Sequence, residues 1–273
     1  MLLLKKDRFI LLLSLIFFSN FYPQTSNAEV KSIKACHDGW PPFYYATSEY
    51  KAGGVVVTLL DEIAAETGYE IEYRLLPFKR CLKQVEQGKI DFIMVTSNHG
   101  DNVLMGQTSL ATWQIGAVVH KNYPEDHFIN LEKFSGEKVL QIQEYVYPEK
   151  IRNFAPNWKV SDVGYFNSDD LDSIPHPFTM IENGQATVFF EDTVFSQKII
   201  NDNGMNLKVL KPAVVLENHY IGYALGREKL YRKFEYALRK RADDGRLDQF
   251  YKDFLGQSWA KFGNRVDQDV KLF

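Results

Sequence analysis

Residues 86–95 read EQGKIDFIMV and residues 182–191 read ENGQATVFFE, so one run is written twice. Each copy has a polar helix end, a glycine that can stop the helix, and an apolar stretch of strand length, Asp91–Val95 in the first and Thr187–Glu191 in the second. Helix-glycine-strand punctuation is common in α/β chains, so the repeat takes its weight from its surroundings. Upstream, Val30–Ala35 reads as a strand. Val57–Thr67 places Leu59, Leu60, Ile63 and Ala64 on one helical face and stops at Gly68. Tyr69–Leu75 alternates as a strand, and Phe78–Gln87 is a short helix with Leu82 and Val85 inward. This β-α-β-α-β order belongs to a mainly parallel sheet with helices on its faces. Downstream of the second copy, Tyr220–Leu225 reads as a strand and Glu228–Asp243 as an amphipathic helix with Leu230, Phe234, Ala237 and Leu238 inward. Leu247–Phe254 is a closing helix. Two lobes of similar build are implied.

The opening residues have the make-up of an export signal. Lys5, Lys6 and Arg8 precede an apolar run, Phe9–Phe18, broken only by Ser14, and Ser26-Asn27-Ala28 puts small residues where a signal peptidase reads. Cleavage after Ala28 and a periplasmic product are the expectation. The apolar run falls short of the roughly 20 residues a bilayer span needs, so no stable membrane insertion is expected. A lipid anchor at Cys36 is disfavoured by Lys34 inside the would-be recognition run. Loss of residues 1–28 removes three positive side chains and one negative, taking the formal charge from −3 to −5. No continuous lysine or arginine stripe remains, which argues against nucleic acid and anionic membrane surfaces as partners.

Cys36 and Cys81 are the only cysteines. In an oxidising compartment an even count favours a disulfide, whereas a thiol nucleophile would need a base that the sequence does not identify. A bridge would tie the end of the first strand to the second helix.

Residues 36–45, CHDGWPPFYY, follow the first strand. Open α/β sheets bind ligands beyond the C-terminal ends of their strands, where this aromatic run and the loop after Val95 both fall. In this setting the chain resembles the family-3, amino-acid-binding type of bacterial periplasmic solute-binding protein that feeds ABC importers. The resemblance is carried by Asp38–Phe43, Gly54, Pro77-Phe78, Gly88–Asp91, Gly136–Val139, Gly184–Asp192, the strand around Gly222 and Asp244-Gly245, in the family's order. It implies a two-lobed, type II α/β fold with two mainly parallel sheets flanked by helices and joined by two crossover hinge strands. Lobe one would be residues 29–112 plus 220–273 and lobe two residues 115–216, with hinges near 112–115 and 217–220. A monomer that binds a small-molecule ligand without a cofactor and meets an ABC transporter permease is implied as well.

The resemblance also implies a ligand site. Trp40 takes the place of the stacking aromatic and Phe78 the second aromatic wall, while Asp192 falls where an aspartate meets the ligand's ammonium group. Asp38, Phe43, Thr96, Ser97, Asn98, Trp113 and Tyr145 complete the candidate set. Asp192 has the alternative of capping a helix that starts at Thr193. Trp113 has the alternative of packing a hinge. Two carboxylate grips of the family are altered, since residues 96–101 read TSNHGD without arginine and residues 143–146 read QEYV. Either Arg80 swings in as a substitute or the ligand is not a standard α-amino acid.

Other chemistry finds little support. His37, His99 and His219 lack metal-ligand spacing. Residues 167–172, NSDDLD, lack the glycine and distal glutamate of a calcium loop and read as a helix start. There is no nucleophile elbow and no phosphate-gripping loop. Two rival functions stay open: a dehydratase-like enzyme on the same fold using Glu144, Glu191 or Asp192, and a binding protein that serves a membrane sensor.

Overall fold

The structure is a computed structural model that describes residues 30–47, 51–97, 102–142, 145–154, 159–163 and 174–267. The export signal, Asn98, His99, Glu144 and the run 167–172 lie outside these residues.

The first half follows the order that the repeat predicts. Strand β1 (Lys31–His37) lies between β4 (Tyr69–Leu75) and β5 (Phe92–Thr96), parallel to both. Helix α1 (Val55–Thr67) and helix α2 (Phe78–Glu86) make the two crossovers. The short strands β2 (Tyr45–Ala46) and β3 (Ala52–Gly53) pair with each other. Helix α1 starts two residues before the hydrophobic pattern does, because Gly54 sets its N-terminus at φ 113°. A Cβ at Gly54 would stand 2.5 Å from the Phe43 carbonyl oxygen, so only glycine fits. Gly68 closes the helix in the left-handed region.

The middle of the sheet departs from the sequence reading. Instead of a short strand at 220–225, β11 runs from Leu207 to Ala224. Its first part pairs antiparallel with β7 (Ala111–His120), and its end pairs antiparallel with β5 and with β6 (Val103–Met105). Beyond β7 lie β10 (Val188–Asp192), β8 (Lys138–Ile142) and β9 (Lys159–Val163), with β10–β8 and β8–β9 parallel. The two expected sheets are therefore joined through β11 and β7 in one order, β4-β1-β5-β11-β7-β10-β8-β9. Pro212 explains why the long strand is hard to read, since it removes a ladder donor where the β11–β7 register shifts, between Leu210 and Val215.

Helices α3 (Glu149–Phe154), α4 (His176–Glu182) and α5 (Thr193–Asn203) serve the β8–β10 part, and α6 (Glu228–Asp243) and α7 (Arg246–Leu255) follow β11. The buried side chains form separate cores. The largest draws on residues 33–111 and 221–262, and two others draw on residues 113–214. Trp40 packs against the largest core and against the one that contains Trp113.

Cys36 and Cys81 form a disulfide across a Cα–Cα distance of 5.8 Å, both fully buried, and fasten β1 to α2. The bridge restricts the unfolded chain over 45 residues. We expect the double substitution Cys36→Ala/Cys81→Ala to lower the unfolding free energy by about 2–4 kcal/mol, read from urea denaturation curves.

Candidate functional site

The site begins with how β1 ends. The β1–β5 register pairs Cys36 with Ile93, which brings the residues after His37 to the C-terminal edge of two parallel strands, beside Val95. There the chain turns back on itself. The Trp40 amide donates to the Tyr44 carbonyl at 2.6 Å, and the Tyr44 amide returns to the Trp40 carbonyl at 3.1 Å. The carbonyls of Pro42 and Phe43 accept from Val55 and Val56, the first amides of α1. A helix start has amides without intrahelical partners, and here the aromatic turn satisfies two of them. The rings of Trp40 are thus held by backbone on both sides of the turn.

The opposite wall comes from β7, β10 and β11. Trp113 and Glu217 are direct cross-strand partners, and His219 lies two residues on along β11, on the same face as Glu217. The Glu217 carboxylate stands 3.4 Å from His219 Nε2. His219 sits between two tryptophans, its ring centroid 5.2 Å from that of Trp40 and 6.1 Å from that of Trp113. Tyr145 adds a further edge contact to Trp113 at 5.6 Å. The result is an unbroken row of rings from Tyr44 through Trp40, His219 and Trp113 to Tyr145.

These walls line a cleft with about 520 Å³ of empty space, open solvent included. Its lining contains six of the sequence candidates: Asp38, Trp40, Phe78, Ser97, Trp113 and Tyr145. Phe43 is fully buried and packs its ring on Phe262 in the largest core. Thr96 is buried at the end of β5, behind Ser97. Arg80 is exposed on α2 and outside the lining. Asp192 also stands outside it. This residue caps α5, its Oδ1 accepting from Val194 and Phe195 and its Oδ2 from the Gln114 amide.

The lining also holds residues that sequence reasoning did not place there. The sequence places Glu217 only at the start of the second hinge, Glu191 only among possible enzymic carboxylates and His219 only among histidines without metal-ligand spacing. Tyr44, Gly39, Val95 and Val146 complete the set. The alternation of Glu217 and His219 is a strand signal that becomes visible once residues 207–224 are known to be extended. Glu191 owes its place to the end of β10, next to the capping Asp192.

Charge in the cavity is negative. Burial pushes Asp38 up to about 6, against the opposing pull of its hydrogen bond from the Tyr44 hydroxyl at 3.4 Å. Asp192 is likewise pushed to about 6 by burial, the three backbone amides and the nearby Trp40 indole working the other way. The Trp40 N–H faces it without closing a hydrogen bond of good geometry. The Tyr145 hydroxyl is held well above its usual range, first by burial and then by the charges of Glu191 and Asp38. Asp38 from the β1 side and Glu191 from the end of β10 both line the cavity with this tyrosine. His37, behind the turn, is lowered to about 4 by burial. Among the described residues no group of three histidine, cysteine or acidic side chains could hold a metal ion. Among them, too, no helix is long and apolar enough to cross a membrane.

Comparison with known proteins agrees with this architecture. Curated protein sequences give no match. Solved structures do: an ancestral arginine-binding protein bound to arginine is 20% identical with a TM-score of 0.69, covering 84% of this chain and 100% of that one. A putative L-cystine ABC transporter from Listeria monocytogenes is 17% identical with a TM-score of 0.68, covering 84% and 98%. A histidine kinase sensor domain with similarity to periplasmic binding proteins is 16% identical with a TM-score of 0.67, covering 84% and 98%. At such identities the likeness carries the fold alone. The profile of the bacterial extracellular solute-binding proteins, family 3, matches residues 33–257, most of the chain. The chain therefore belongs to the family-3 bacterial extracellular solute-binding proteins.

Proposed function

We propose that the protein is exported to the periplasm and captures a small polar solute bearing a positive group, an amino acid or related compound, for an ABC importer. Two lobes, residues 29–112 plus 220–273 and residues 115–216, close on the solute by bending at 112–115 and 217–220. The observation that carries this reading is the cavity itself, because its lining joins the β1 and β5 edge to residues of β7, β10 and β11. Solved neighbours that bind arginine, or are named as a cystine ABC transporter, support an amino-acid-like solute and an importer. The protein acts as a monomer and without catalysis. Asp192 is committed to helix capping, which leaves a dehydratase reading without one of its proposed carboxylates.

A thermal-shift screen of the refolded protein against amino acids, polyamines and small organic acids tests this, since a solute that binds only the folded state must raise the melting temperature. A solute that raises it by several degrees is expected. Failure of every compound would contradict the reading.

The site also predicts a pH dependence. A positive solute group favours ionised Asp38, so binding below about pH 6 must first remove its proton. Tyr44 donates to Asp38, and the other titratable groups lining the same cavity are Tyr145, Glu191, Glu217 and His219. The dissociation constant should fall by about tenfold between pH 5 and pH 7 for one such group. Calorimetric titrations at the two pH values measure this, and an affinity that rises on acidification would contradict it.

A further inference from the structure

We propose that the solute is an organic cation that has no carboxylate of its own, such as a diamine or a guanidinium amine. This rests on the solute-binding reading above and narrows it to a substrate class. Three carboxylates, Asp38, Glu191 and Glu217, line the cavity from three different strands or strand ends, and lysine and arginine are absent from its described lining. The neighbouring stretches 98–101 and 143–144, NHGD and QE, contain no lysine or arginine in their sequence either. A zwitterion would bring its own carboxylate among these three, and like charges at close range are costly. A carboxylate of the solute would therefore stay in water or go unbound.

The aromatic walls point the same way. Trp40, Trp113 and Tyr145 present rings within one cavity, and a cation over a ring face or held between rings is attracted by the quadrupole. His219 is the one described lining side chain that could become cationic, and its Nε2 already faces Glu217 at 3.4 Å. Asp38, just past the end of β1, and Glu191, at the end of β10, both line the cavity that holds the Tyr145 ring. Carboxylates from different strand ends in one cavity with aromatic rings match a solute that carries more than one positive group on a methylene chain.

The test compares each amino acid with the amine left when its carboxylate is removed. Protein stripped of solute by unfolding and refolding is titrated by calorimetry at pH 7.5 with arginine and agmatine, lysine and cadaverine, ornithine and putrescine. The proposal predicts that in at least one pair the amine binds tenfold or more tighter than its amino acid. It also predicts that Glu191→Gln weakens that amine at least tenfold while leaving the melting temperature of the unliganded protein within a few degrees of the parent. Equal or tighter binding of the amino acids would overturn the cation class and leave the solute-binding reading intact. Binding of none of the six would also overturn the class, and the broad thermal-shift screen then decides the solute-binding reading separately.

Discussion

Trp40→Ala is expected to weaken solute binding by about 30–1000-fold, the range of a central aromatic anchor worth roughly 2–4 kcal/mol. Trp40 lines the cavity and forms edge contacts with Phe43 at 5.0 Å, Tyr44 at 6.1 Å and His219 at 5.2 Å. Its removal takes away a wall that excludes water, so the nearby carboxylates also lose strength through hydration. The same ring packs on two cores, so the unliganded protein should lose about 2 kcal/mol as well. Trp40→Phe separates the two effects, since a smaller ring keeps much of the packing and some attraction for a cation. Calorimetric affinity and urea denaturation, run on both variants, give the two quantities. Parent-like affinity in folded Trp40→Ala would remove Trp40 from the site.

Asp192→Ala should be strongly destabilising, lowering the unfolding free energy by about 3–5 kcal/mol. Its side chain is fully buried and accepts from the amides of Val194 at 2.9 Å, Phe195 at 2.8 Å and Gln114 at 3.2 Å. Two of those donors are the first turn of α5, and the third lies on β7, in the segment proposed as a hinge. Alanine would leave all three amides without this acceptor. Asp192→Asn keeps one carbonyl oxygen for the helix start, so its cost should be about 1–2 kcal/mol. Urea midpoints rank the three proteins, and an alanine variant as stable as the parent would rule out the capping role.

Much of the fold was legible because its pattern is local. Tyr69–Leu75 and Glu228–Asp243 keep the bounds that alternation and helical periodicity give them, and the helix at Thr193 begins where a capping aspartate says it should. The 18-residue β11 was not legible, since its ladder depends on β7, far away in sequence, and Pro212 interrupts its pattern. The same gap hid Glu217, whose place in the cavity exists only through its pairing with Trp113. The aromatic turn was legible as rigid surface at a strand end. Its carboxylate environment was not, because Asp38 and Glu191 meet only when the β1 edge and β10 are brought to one cavity.

Tryptophan fluorescence locates the bound solute most directly. Trp40 and Trp113 line the cavity, whereas Trp259 is buried in the largest core with its N–H donated to the Ser109 carbonyl at 2.8 Å. The fourth tryptophan, Trp158, lies outside the described residues, so a solute chosen by the thermal-shift screen should change the emission of the parent, of Trp259→Phe and of Trp158→Phe alike. The change should vanish in Trp40→Phe/Trp113→Phe when solute is added at a concentration that calorimetry shows to be saturating for that variant. A full spectral change in that double variant would mean that the solute binds elsewhere, and the cavity between the aromatic turn and the β7–β11 pair would not be the site.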